Sequence, residues 1–164
     1  MKRILALTIA AMLLLGGCGV KENNDSKKPA EHTEKGIQIG GVTLNIGGVL
    51  TDEKKEALGE PISTSEAPSC LYEGFDIVYE YEGFTLQTNQ QSEDEIVCIL
   101  TVETEKYPTA QGVKVGDTAE AVREAYGEAE EDTKYYLTYT VDNTAITFSL
   151  SGGKVSAIEY AVPS

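Results

Sequence analysis

Residues 75–86 read Phe75-Asp76-Ile77-Val78-Tyr79-Glu80-Tyr81-Glu82-Gly83-Phe84-Thr85-Leu86. Up to Tyr81 an apolar or aromatic residue recurs at every second position, the period of a strand with one buried face. Phe75, Ile77, Tyr79 and Tyr81 share that face, and Asp76, Val78, Glu80 and Glu82 fall on the wet one. Glu82-Gly83 then supplies the turn of an antiparallel hairpin. The pattern returns later in the chain. Tyr135, Leu137, Tyr139 and Val141 are expected to point in, with Tyr136, Thr138, Thr140 and Asp142 pointing out. Ile146, Phe148 and Leu150 continue the apolar face, and Gly152-Gly153 offers another turn.

Outward from these strands lie two helical stretches. Leu50 to Leu58 reads as a short helix stopped by Gly59-Glu60-Pro61, and Asp117 to Tyr126 as another stopped by Gly127-Glu128. Asp117 and Glu120 have capping-box spacing, and Val122, Ala125 and Tyr126 share one face. A shift of about 68 positions lays Leu58-Gly59-Glu60 on Tyr126-Gly127-Glu128. With it, Tyr79-Glu80-Tyr81-Glu82 corresponds to Leu137-Thr138-Tyr139-Thr140, and Phe84–Gln87 to Ile146–Ser149. Each half closes on an apolar strand, Ile96–Val102 and Val155–Val162. An internal repeat of this kind governs the expected fold. The expectation is an α+β class: two tandem helix-plus-antiparallel-sheet repeats, 37–105 and 106–164, forming a two-layer domain. Residues 62–74 have no counterpart in the second half and are expected to form a loop or an edge strand.

The amino terminus carries a different kind of message. Lys2 and Arg3 precede an apolar run from Ile4 to Leu15 that only Thr8 interrupts. The run is too short to span a hydrocarbon core of about 30 Å and reads as the apolar part of a signal peptide, residues 1–17. Leu15-Gly16-Gly17-Cys18 resembles the bacterial lipobox. That resemblance implies transfer of a diacylglyceryl group to the Cys18 thiol, cleavage between Gly17 and Cys18, acylation of the new N-terminus (palmitate-type chains throughout), and attachment to the membrane from its extracytoplasmic side. Two or three acyl chains suffice for stable anchoring. Residues 18–36 are polar and aperiodic, as suits a flexible tether, and they contain His32, the single histidine. The 164 residues carry 13 Lys+Arg against 27 Asp+Glu, a net charge of −14. Removing residues 1–17 takes away Lys2 and Arg3 and no acid, which moves the charge to −16. Such a surface excludes nucleic acid as a partner, since phosphate contacts need a basic footprint.

Val115-Gly116-Asp117-Thr118, followed by Val122 and Tyr126-Gly127-Glu128, resembles the helix signature of the SmpA/OmlA-type envelope lipoproteins. Tandem copies of that unit resemble the beta-lactamase-inhibitory-protein fold, which implies two repeats joined in one concave sheet. The stretch Ala67-Pro68-Ser69-Cys70-Leu71-Tyr72-Glu73-Gly74, with Tyr79 and Tyr81-Glu82-Gly83-Phe84, is similar to surface lipoproteins of clostridia. These resemblances imply a fold and an anchor, and they bring no catalytic residues.

Few constellations point to chemistry. Cys70 and Cys98 are a pair outside the cytoplasm, so a disulfide is one reading; it would close a loop of about 29 residues, worth about 3–4 kcal/mol in a chain-entropy account. Two free thiols, with Cys98 packed as a small core residue, is the other. Glu93-Asp94-Glu95 and the run Glu128, Glu130, Glu131, Asp132 lack calcium-loop spacing and read as solvated faces. No metal site, cofactor or catalytic residue is expected. Tyr72 and Tyr136 are candidates for a recognition surface, because tyrosine is favoured at interfaces. The expected role is therefore a membrane-anchored binding module for a protein, peptide or glycan, using the exposed sheet face. The alternative is an envelope enzyme that works through carboxylates, for example in glycan hydrolysis.

Overall fold

The computed structural model describes residues 36–70, 72–91 and 93–163. The expected signal peptide, Cys18, His32 and nearly all of the expected tether lie outside the described residues. In chain order the elements are β1 (Ile37–Ile39), β2 (Val42–Leu44), α1 (Asp52–Leu58), β3 (Ser63–Pro68), β4 (Phe75–Tyr81), β5 (Phe84–Gln91) and β6 (Asp94–Val102). Then follow α2 (Ala119–Tyr126), β7 (Glu131–Asp132), β8 (Tyr136–Val141), β9 (Thr144–Ser151) and β10 (Lys154–Ala161).

The expected α+β class of two helix-plus-sheet repeats is overturned. The protein is mostly β: β1 and β2 form a separate hairpin, and the other strands form one continuous antiparallel sheet in the order β3-β4-β5-β6-β10-β9-β8-β7. The helices are only 7 and 8 residues long. The physical reason is at the centre of the sheet. β6 and β10 pair directly, Leu100 opposite Tyr160 and Val102 opposite Ile158, so the halves share one long ladder whose strands far outweigh two helices of about two turns each.

Three local expectations are also corrected. The strand correspondence slips by two residues, because Tyr81 pairs with Phe84 across one turn and Val141 with Thr144 across the other. Counted from those turns, Tyr79 matches Tyr139. The Asp142-Asn143 turn adopts positive φ values of 49° and 62°, a conformation that short Asx side chains tolerate. In α2 the N-cap is Thr118, whose hydroxyl accepts from the Ala121 N–H, while Asp117 accepts from the Lys114 N–H at 2.9 Å. Tyr135 falls outside β8 and is 63% exposed, not inward. Residues 63–68 do form an edge strand, β3.

A single core lies on one face of the sheet. Leu86, Val97, Leu100, Val102, Leu137, Ile146, Phe148, Ile158 and Tyr160 face it from the strands, and Ile37, Ile39, Leu44 and Val122 close over them. The starts of the helices are tied to β6 and to the β9–β10 turn. The Leu50 N–H donates to the Glu95 carbonyl at 2.8 Å, and the Ala119 N–H to the Gly153 carbonyl at 3.0 Å. Each helix therefore begins at a defined point on the core face.

Candidate functional site

What lies beneath the two helices differs. α2 buries Ala119, Val122 and Tyr126, and the Tyr126 ring stands 5.2 Å from Tyr139 and 5.1 Å from Phe148. This is a filled aromatic core. α1 buries no residue, and its sequence Asp52-Glu53-Lys54-Lys55-Glu56-Ala57-Leu58 explains why: only Ala57 and Leu58 are apolar. Between the C-terminal end of α1 and β4 a recess of about 430 Å³ stays open, lined by Lys55, Glu56, Gly59, Glu60, Pro61, Tyr79 and Tyr81.

The wall behind that recess is polar and buried. Counting strand positions from the two turns, Phe148 corresponds to Thr88 and Val155 to Glu95. Glu95 is only 5% exposed. Its carboxylate accepts from Lys55 Nζ at 2.5 Å and from the Thr88 hydroxyl at 2.6 Å. The Tyr79 hydroxyl is a third partner, and the Lys55 ammonium also lies 5.9 Å from the centre of the Tyr79 ring. Burial, and then the bond to Glu95, push the Tyr79 phenol well above its ordinary value. Tyr81 is raised as well, by burial first and by the charges of Glu60 and Glu95 after it. The helix residue matching Lys55 is Arg123, counted back from Gly59 and Gly127. Arg123 turns outward and makes two bonds of 2.8 Å to Asp132, which hold that carboxyl below the usual range.

Glu95 was expected on a solvated acidic face, and the structure corrects this. The alternation of β6 was the available signal, since Glu95 and Val97 stand two apart and both are buried. Glu128, Glu130, Glu131 and Asp132 are exposed, as expected.

The other expected site residues are scattered. Cys70 is exposed and Cys98 half-buried, and both are free thiols in the structure. Cys98 sits at a bulge in β6, where Gln87 pairs with Ile99 and Thr88 with Val97. Burial, with the nearby charge of Asp76, raises the Cys98 thiol pKa. Tyr72 lines a small hollow of about 150 Å³ with Asp76, Gln87, Cys98, Ile99, Ala161 and Val162 on the open face of the sheet. Tyr136 pairs with Ser149 at the start of β8, with four strands between it and β4, so the structure does not bring Tyr72 and Tyr136 together. Between them the open face is a polar row, Glu80-Thr85-Thr101-Glu159-Thr147-Thr138. Among the described residues no group of three or more His, Cys, Asp or Glu side chains could hold a metal ion.

No protein-family model and no curated protein matches the chain. Among solved structures it is similar to an extracellular protein containing a SCP domain from Bacillus anthracis str. Ames, with 14% sequence identity and a TM-score of 0.51. The likeness covers 71% of this chain but 44% of that one, so the chain spans less than half the length of its neighbour. At this identity the likeness concerns the fold alone.

Proposed function

We propose that this protein is an extracytoplasmic lipoprotein, anchored through Cys18, whose folded part is a non-enzymatic binding module with its ligand site in the recess between α1 and β4. One observation carries the site: buried Glu95 and Thr88, bonded to half-buried Lys55 and Tyr79, stand behind an open recess, where the other half of the sheet has a filled apolar core. A buried ion pair is weak evidence for stability, because desolvation offsets much of the attraction. Its use here is to fix the orientation of Tyr79 and Lys55 at the recess wall. Both Glu95 oxygens already accept from donors in the fold, which suits a positioning role more than proton transfer to a substrate. Export agrees with the lipobox, and the solved structure of similar fold belongs to an extracellular protein.

Two experiments test the reading. Replacing Cys18 with Ser is expected to release the protein from the membrane fraction and abolish acyl labelling; retention without label would refute the anchor. For the site, the full chain in mild detergent is screened by amide chemical shifts against peptides, amino sugars and short glycans. Shifts centred on Tyr79, Tyr81 and Glu60 are expected. Hits that turn over into new products, or that map only to the open sheet face, would overturn the recess as a binding site.

A further inference from the structure

The recess does not end at its own wall. Pro61, on its rim, leads directly into β3, the edge of the eight-stranded sheet. All six β3 residues are exposed, whereas the opposite edge, β7, has only two. The hydrogen-bond phase of β3 follows from one contact. The Ser69 N–H donates to the Gly74 carbonyl at 3.0 Å, and antiparallel pairs alternate, so Ser63, Ser65 and Ala67 exchange bonds with β4. Thr64, Glu66 and Pro68 then turn their backbone groups outward, with N–H donors at Thr64 and Glu66 only. These same residues put their side chains on the recess face, because Thr64 stands opposite Tyr79 and Glu66 opposite Ile77. Ile62, 73% exposed, sits at the head of the strand.

The charge along this edge has one sign. Glu56 and Glu60 line the recess, and Glu66 follows along the strand. Glu66 and Glu60 are close enough to raise the Tyr79 and Tyr81 phenols by their charge. The one cation in the lining, Lys55, is held by Glu95. Natural edge strands are commonly blunted by lysine, and β3 has none.

We propose that the ligand is an extended peptide segment with Lys or Arg at alternate positions, which adds to the sheet beside β3 and lays a basic side chain over Thr64 onto Tyr79 and Tyr81, against Glu60. This deepens the binding reading above and rests on it. Backbone pairing at Thr64 and Glu66 supplies the docking, and the aromatic and acidic recess supplies the selectivity. Adjacent strands lie about 4.8 Å apart, so a long basic side chain two strands from Tyr79 reaches its ring. A second copy of this chain is a poorer occupant, because β3 against β3 brings Glu66 and Glu60 toward their own counterparts.

The test uses the full chain in mild detergent and a labelled acetyl-Val-Lys-Val-Lys-Val-Lys-amide, its Glu-for-Lys counterpart, and a version N-methylated on the backbone groups that face β3. The lysine peptide is expected to bind and to protect the Thr64 and Glu66 amides from hydrogen exchange. Thr64→Pro removes one outward donor and no sheet bond; it is expected to weaken binding at least tenfold with an unchanged melting temperature. N-methylation, which leaves the protein untouched, is expected to do the same. Glu60→Gln together with Glu66→Gln should weaken binding severalfold, and the Glu peptide should not bind. Binding that ignores both N-methylation and Thr64→Pro overturns edge pairing. So does edge protection that appears without peptide, with a doubling of mass. If the lysine peptide perturbs Tyr79 and Tyr81 while the β3 amides stay unprotected, the recess stands and the strand-addition inference fails. Edge protection that leaves Tyr79 and Tyr81 unperturbed overturns the recess reading, and with it the inference.

Discussion

Glu95, Thr88 and Tyr79 carry the clearest test at the scale of single residues. If the network serves ligand recognition, then replacing Thr88 and Glu95 together with valine, to mimic the apolar second half, should leave stability within about 1 kcal/mol or raise it. Lys55, 37% exposed, can swing to solvent in that variant. Glu95→Ala alone should cost about 1–3 kcal/mol in urea denaturation, because it removes the charged acceptor shared by Lys55, Thr88 and Tyr79 and leaves Thr88 only the longer contact of 3.4 Å to the Ile77 carbonyl. A double variant as damaged as the single one would mark the network as structural. The tyrosines give a pH signature. The Tyr79, Tyr81 and Tyr139 phenols are raised in the folded state, burial being the first cause in each. Their contribution is thus fully present below the unfolded tyrosine pKa of about 10 and is lost as pH rises through the higher folded values. Phenolate absorbance at alkaline pH should therefore lag in the native protein and jump on unfolding. A native titration equal to the unfolded one would refute the burial of these hydroxyls.

At the scale of elements, α1 is held by its ends and not by an apolar face. Gly40, in the β1–β2 turn with φ +59°, lies so close to α1 that an added Cβ would stand 2.5 Å from the Ala57 carbonyl oxygen. Gly40→Ala should push α1 away and cost about 1–3 kcal/mol, through strain and lost contact. Hydrogen exchange should report faster opening of α1 with α2 unaffected, and equal exchange in both proteins would show that the hairpin does not seat the helix. The amphipathic pattern of α2 was readable because Val122 and Tyr126 repeat at helical spacing. α1 was also readable as a helix, through its Gly59-Glu60-Pro61 stop, while its Thr51 cap emerged from the structure, and its sequence says nothing of the recess that it leaves. A recess is a property of two surfaces that fail to meet, and α1 contributes only one of them.

For the whole molecule, one core shared by the eight-stranded sheet and the β1–β2 hairpin implies one unfolding transition. Phe148→Ala, at a fully buried ring, should cost about 3–5 kcal/mol, and Ile77→Ala, far across the sheet, about 2–5 kcal/mol. Each should lower a single melting transition seen alike by tyrosine fluorescence and circular dichroism. Removing 112–164 should leave an aggregated fragment, since β6 would lose its β10 partner. Two separable transitions would refute the shared core. The sequence by itself determined which residues alternate in strands and where the helix stops fall, because these depend on neighbours within a few positions. Only the tertiary structure decided that the halves meet at β6 and β10 in a mostly β protein, that Glu95 is buried against Lys55, and that β3 is left as an open acidic edge. Those outcomes depend on contacts between residues about 40 to 60 positions apart, such as Lys55 with Glu95 and Leu100 with Tyr160, which no local period encodes.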